Sequence, residues 1–257
     1  MCPIGGPLVG ARRWRDRGRL ICHCLAIETA RDGVILVDTG FGADDCTHPW
    51  RLSAIFRALV APRLDPQATA VAQLAALGFA PKDVRHVVVT HLDPDHAGGL
   101  PDFPAAEVHV HAHEHEAAMA RADLRAKSRY LTNRLDPGAR WQRYLPDGDT
   151  WLGLPAVRAL RGVSADIALV PMIGHTRGHT AVAIRDGARW LVHAGDAYFD
   201  RRELGGVGRP PPALRWLATI DEVDRAARLA SVEALRTLAA RPDVTVVCSH
   251  DPSELPA

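Results

Sequence analysis

The chain has 257 residues, with 47% hydrophobic and 24% charged side chains, an ordinary balance for a folded domain with a sizeable core. Its 31 Lys and Arg nearly cancel its 30 Asp and Glu, so no global field draws it to nucleic acid or to an anionic membrane. No run reaches the ~18 apolar residues of a membrane-spanning helix. The five cysteines (Cys2, Cys22, Cys24, Cys46, Cys248) contain no C-x-x-C pair, which fits a reducing cytoplasm.

In residues 1–19 apolar residues precede basic ones and no long apolar h-region follows, unlike a signal peptide. Trp14 and Asp16 interrupt the arginines at 12, 13, 15, 17 and 19, so this segment reads as a solvated N-terminal arm. Strands are expected at 20–28 and 34–38, with Cys22 and Cys24 on one side as small buried hydrophobes. The segment 41–65 is mostly polar, with helical spacing at 51–59. Asp65 caps a helix over 66–77, with Pro66 at its first position and Gly78 ending it. A strand at 84–90, a strand at Glu107–His111 and a helix at 114–125 complete the first half. The second half offers strands at 140–145, Ile167–Pro171, 181–185 and Arg189–His193, then a helix at 222–240 and a strand at 244–249. The Gly- and Pro-rich stretch 204–212 lies in a long loop, 197–220. Two halves with similar inventories pack economically as an α/β (α+β) four-layer αββα sandwich, a single domain over 1–257 with two mixed sheets and helices outside.

His91-Leu92-Asp93-Pro94-Asp95-His96 places four potential metal ligands within six residues at the end of an apolar, β-branched strand. Imidazole and carboxylate suit divalent transition metals, and four such groups exceed what one four-coordinate ion needs beside its water. Two ions are implied. Three further strand ends carry ligand-type residues: Gly174-His175-Thr176-Arg177-Gly178-His179, Gly195-Asp196 and Ser249-His250-Asp251. Each alone reads as a turn or cap residue. Together they sit where α/β folds gather their sites. His109, His111, His113 and His115 alternate, but a strand giving way to helix scatters them, so they read as packing or surface residues. Asp38 reads as structural, orienting a ligand imidazole. Trp50, Phe56, Phe199 and Trp216 are candidate pocket or core aromatics.

The order V-D-T-G, T-H-L-D-P-D-H-A-G-G, G-H-T-R-G-H-T, G-D and S-H-D resembles the metallo-β-lactamase fold superfamily of metallohydrolases, from about Ile21 to Asp251. C-H-C-L-A-I-E-T, V-I-L-V-D-T-G-F-G and the segment 195–198 resemble its N-acyl-homoserine-lactonase-like branch most. The resemblance implies the αββα sandwich and a two-metal site at one edge of the sheets. It implies that His91, Asp93 and His179 hold metal one, that Asp95, His96 and His250 hold metal two, and that Asp196 bridges them. It assigns the second histidine of G-H-x-x-G-H, leaving His175 no closer than a neighbour of a ligand. Asp93 stands where the pattern H-x-H-x-D-H has its second histidine. Zinc is the first expectation, with iron or manganese favoured by that added carboxylate.

The implied reaction is attack of a metal-activated water on an ester, lactone or related acyl bond of a small molecule, with Asp95 passing a proton to the leaving group. Tyr198 takes the place of a substrate-contacting tyrosine, one residue closer to the bridging aspartate than in the lactonases. Segments 41–65 and 197–220 are expected to border the active site, and a homodimer is expected. The alternatives are a di-iron redox or oxygen-handling protein, suggested by Asp93, and a non-catalytic metal-binding module of the same fold.

Overall fold

The computed structural model describes residues 1–3, 5–131, 139–205 and 207–254. The first half forms a five-stranded sheet from β1 (Leu25–Glu28), β2 (Val34–Val37), β3 (Val84–Val88), β4 (Glu107–His111) and β5 (Arg140–Tyr144), in that order. β1 and β2 are antiparallel and the later pairs are parallel. The second half forms a six-stranded sheet from β6 (Asp149–Trp151), β7 (Leu154–Ala159), β8 (Ile167–Pro171), β9 (Thr180–Asp186), β10 (Arg189–His193) and β11 (Val244–Val247). Its pairs are antiparallel except β10 with β11. The helices are α1 (Ala43–Thr47), α2 (Ala54–Val60), α3 (Ala70–Ala76), α4 (Pro94–Ala97), α5 (Ala112–Ala120), α6 (Leu124–Arg129), α7 (Pro212–Asp221) and α8 (Arg225–Ala239).

Strand periodicity builds the layers. In β2 all four residues are buried, because successive side chains enter different cores. Val34 and Leu36 pack outward with Leu74 and Ala118 from the helices covering the first sheet. Ile35 and Val37 point inward and meet Ile167, Leu169, Val182 and Ile184 of the second sheet. In β9 the same alternation sends Val182 and Ile184 between the sheets and Ala181 and Ala183 outward against Val232, Leu235 and Leu238 of α8. Three apolar layers separate four layers of backbone, as the αββα expectation requires.

The departures from the expected elements have local causes. Of 20–28 only Leu25–Glu28 pairs as strand. The residues before it cross toward the second half, where the Ile21 and His23 amides donate to the His250 and Ser249 carbonyls. The helix expected over 66–77 is a 3-10 turn capped by Asp65, followed by α3 capped by Thr69. The helix expected over 114–125 breaks at Arg121 (φ 42°) and restarts as α6, capped by Asp123. Asp224 caps α8, so residues 222–224 lie outside it.

Residues 1–19 are not a free arm. Gly6–Val9 forms a 3-10 turn, Val9 is buried, and the Gly18 and Leu20 amides donate to Pro3 and Met1 carbonyls. Arg12, Arg13, Arg15, Arg17 and Arg19 nevertheless remain exposed. Residue 4 of this segment and residue 206 of the 197–220 segment lie outside the described residues. The helical spacing expected at 51–59 is met by α2, while α1 in 41–65 and α7, which begins within 197–220, stand where loop was expected. Among the described residues, no helix is long and apolar enough to cross a membrane.

Candidate metal centre

The ends of β3, β8, β10 and β11 meet at one edge of the sandwich. After β3, Pro94 opens the single-turn helix α4, which carries Asp95 and His96 beyond the strand, with Asp93 at its N-cap. The Thr39 amide and hydroxyl both donate to the His96 carbonyl, at 2.7 and 2.9 Å, pinning that turn to the end of β2. After β10, Gly195 has φ +55°, and a Cβ there would lie 2.5 Å from Nε2 of His179. Only glycine lets Asp196 follow at this point.

Asp196 is the hub. Its Oδ1 lies 3.3 Å from Nε2 of His96. Its Oδ2 lies 3.0 Å from Nε2 of His250, 3.7 Å from Nε2 of His175 and 3.9 Å from Nε2 of His91. On one side Asp93 Oδ2 is 3.2 Å from His175 Nε2 and 3.5 Å from His91 Nε2. On the other, Asp95 Oδ2 is 3.6 Å from His250 Nε2 and 3.8 Å from His96 Nε2. Donor atoms of His91, Asp93 and His175 fall within 4.8 Å of one another, as do those of His91, His96 and Asp196. The two sets share His91, and the Asp196 carboxylate lies within 3.9 Å of imidazole nitrogens on both sides.

His179 is the exception among the expected ligands. Its Nδ1 lies 2.9 Å from the Met172 carbonyl, and its Nε2 accepts from the Asp196 amide at 2.9 Å. With both nitrogens engaged, His179 holds the backbone of Asp196, and the imidazole beside Asp93 and His91 is that of His175. The family resemblance had assigned the second histidine of this turn and left His175 beside it. Tyr198 is also displaced from its expected place. It is fully buried in the outer core of the second sheet, and its hydroxyl donates to the Glu254 carboxylate at 3.0 Å. One residue fewer after Asp196 turns the phenol away from the cleft and gives that place to Phe199.

The residues present fit metal ions on two counts. His91 Nε2, His96 Nε2 and Asp196 Oδ1 are buried without a hydrogen-bond partner, a costly arrangement unless something else engages them. The donors are imidazole and carboxylate, the set that zinc, iron and manganese accept. Charge is already organised around them. Burial opposes the charged form of His96, but Asp196 and Asp95 outweigh it and hold the imidazole's pKa well above the usual range. Burial likewise opposes ionised Asp93, yet Arg129 and His91 outweigh it and keep the carboxyl well below the usual range. Burial, then His91 and His175, push His179 well below, so it stays neutral. Cys22, read as a packing residue, has its thiol within 4.8 Å of donors on Asp95 and His250. Burial and Asp95 push that thiol up to about 12, so it is no thiolate.

Two supporting residues have no local sequence signal. Glu114 is fully buried and accepts from the Leu92 amide (3.0 Å), the Gly178 amide (3.1 Å) and the Tyr130 hydroxyl (3.2 Å), tying the two histidine-bearing turns together. Arg129, at the end of α6, has its Nε 3.4 Å from Oδ1 of Asp93. The cleft above the donors, about 150 Å³, is walled by Phe56, Leu59 and Val60 from α2, by Leu217 and Ile220 from α7, and by Phe199. Trp50 and Trp216 are outside it and largely exposed. His109 and His111 are buried packing residues of β4, whereas His113 is exposed.

The sequence profile of the metallo-beta-lactamase superfamily matches residues 17–250, and the chain belongs to that superfamily. A probable metallo-hydrolase of Mycobacterium tuberculosis is 40% identical over 91% of this chain and 75% of its own length. An N-acyl homoserine lactonase of Rhizobium radiobacter is 31% identical over 74% of this chain and 67% of its own. A solved N-acyl homoserine lactone hydrolase, with N-hexanoyl-L-homoserine at its catalytic metal center, superposes with TM-score 0.70 at 21% identity, covering 98% of this chain and 90% of that one. This chain sides with the lactonase-like metallo-hydrolases of the superfamily.

Proposed function

We propose that this protein is a binuclear metallohydrolase that opens a lactone, or cleaves a related ester, of a small molecule with an apolar acyl part. The observation that carries the reading is the Asp196 carboxylate set between histidine nitrogens of two adjoining donor groups, beneath a cleft walled by apolar side chains. His91, Asp93 and His175 would hold one ion, Asp95, His96 and His250 the other, with Asp196 between; His179 serves as a brace for Asp196. Zinc is the first candidate, and iron or manganese follow from the third carboxylate.

When bound, such ions polarise an acyl carbonyl and bring the pKa of a water toward ~7. The chain's own residues do the rest. Phe56, Leu59, Leu217 and Ile220 take the acyl part out of water and set its carbonyl over the donor edge. Asp95, which lines the cleft beside His250, carries a proton from the attacking water to the leaving oxygen. No serine or cysteine nucleophile is needed. The relatives named above lend the lactone its place ahead of other acyl compounds, and the cytoplasmic location and the homodimer belong to the same proposal.

The test is to purify the protein, measure its metal content, and assay acyl-homoserine lactones of graded chain length beside esters, thioesters, β-lactams and phosphodiesters. Metal-dependent turnover of lactones, rising with acyl length, is expected. Metal-loaded protein inert toward all of them overturns the reading. Iron-dependent oxygen consumption would favour the di-iron alternative instead.

A further inference from the structure

The pattern H-x-H-x-D-H has a neutral imidazole where this chain has Asp93, so the donor edge here carries one carboxylate more. The two oxygens of Asp93 face opposite ways. Oδ2 points into the donor cluster, 3.2 Å from His175 and 3.5 Å from His91. Oδ1 points out of it, 3.4 Å from Nε of Arg129. The guanidinium is itself buried, with 6% of its side chain exposed. Its Nη1 donates to the His175 carbonyl at 3.1 Å, and its Nη2 donates to the carbonyl and to the half-exposed carboxylate of Asp221, at 2.6 and 2.5 Å. That fork reaches three segments at once: the turn after β3, the turn after β8 and the end of α7.

We propose that Asp93 and Arg129 together replace the neutral histidine, with Arg129 positioning the carboxylate and cancelling its charge, so that the first metal position is no more anionic than in the H-x-H-x-D-H pattern. This rests on the reading that Asp93 faces an ion. An aspartate alone would leave an uncompensated buried charge, and an arginine alone would have only the half-exposed Asp221 carboxylate to balance it beside the ions. The pair also explains how an added carboxylate remains compatible with zinc. The guanidinium draws charge from the ligand that would otherwise favour a harder cation.

The experiment is a double-mutant cycle on the full chain, read as zinc bound per chain and as zinc affinity in competition with a chromophoric chelator. Asp93→Ala is expected to lower zinc from two equivalents to one. Asp93→His leaves Arg129 with only the half-exposed Asp221 carboxylate as its partner beside the ion, and the weaker affinity is expected to fall by about tenfold or more. Asp93→His with Arg129→Met is expected to recover most of that loss, a non-additivity that a merely structural arginine would not give. If the double variant does not fold, Arg129→Gln carries the cycle, because it removes the charge while keeping a polar side chain there. Asp93→Ala retaining two equivalents overturns the reading that Asp93 faces an ion. Asp93→Ala losing one, with the double variant no better than Asp93→His, leaves that reading standing and overturns the role given to Arg129.

Discussion

The carboxylate of Asp38 lies 2.9 Å from Nδ1 of His96 and at the same time accepts from the Thr90 amide (2.7 Å) and hydroxyl (2.8 Å). One side chain at the end of β2 thus sets the ring orientation of a ligand-type histidine and the backbone from which His91 projects. Asp38 holds φ +56°, a strained value for a non-glycine residue. Asp38→Ala should leave the Thr90 amide and the His96 Nδ1–H buried without acceptors. A stability loss of about 3–5 kcal/mol is expected, with metal affinity at the His96 side lowered about 10–100-fold. Denaturant titration and zinc competition check both; unchanged metal affinity would show that Asp38 serves only the backbone.

Glu114 makes a different kind of brace, because its acceptors hold backbone on both histidine-bearing turns. Glu114→Gln keeps the shape but turns an NH₂ toward an amide N–H, so one of Leu92 and Gly178 loses its acceptor. A buried unsatisfied donor costs about 1–3 kcal/mol, and the two turns should lose register together. The expected result is a lowered denaturation midpoint with reduced occupancy at both metal positions. Loss at one position only would count against Glu114 as the common tie.

Tyr198→Phe separates the structural reading of this residue from the catalytic one expected from its place in the chain. The hydroxyl bonds to Glu254, whose Oε2 also accepts from the Cys248 amide at 2.7 Å. Losing that bond should cost about 1 kcal/mol, a melting-temperature drop of about 2–4 °C for a domain this size. The kcat/KM should stay unchanged, since the ring faces the outer core of the second sheet. A large fall in kcat with little change in melting temperature would return Tyr198 to the active site.

The layers of the fold were legible because strands buried on both faces write near-continuous apolar runs, as in Val34–Val37 and in Val87, Val88 and Val89. β6 and β7 were not, because Gly153 and Pro155 interrupt them and Leu152 and Ala156 take positive φ, which breaks the alternation. α7 was hidden because the prolines before it read as loop, although proline is favoured at a helix's first position. Most of the donor edge was readable from four strand ends. The choice between His175 and His179 was not. Each follows a glycine, and the Met172 carbonyl and Asp196 amide that engage His179 are contacts that spacing does not encode. Glu114 and Arg129 reach the site from helices whose local sequence carries no ligand signature.

The inter-sheet core holds a pH-dependent element away from the metal edge. The Arg161 amide donates to the Tyr144 hydroxyl (2.9 Å), which lies 2.7 Å from Nδ1 of His109, whose Nε2 lies 3.0 Å from Nδ1 of His86. Since an amide can only donate, the phenol's own proton is left for Nδ1, and the His109 Nε2–H donates to His86. That chain needs His109 neutral. Burial first, then His86 and Arg161, lower its pKa to about 4. A histidine depressed in the folded state binds its proton more readily when unfolded, so stability is full above the unfolded value of about 6.5. It is lost as pH falls from there toward about 4, and below that the loss levels off. Burial lowers His111 and His193 to about 4 in the same way, and each unit of such a shift is worth about 1.4 kcal/mol. Metal-free protein should therefore show a falling denaturation midpoint across this window. His109→Phe removes one of the three groups, and it should flatten the slope even though it lowers the midpoint at neutral pH. An unaltered slope in that variant would mean that His109 titrates normally in the folded protein.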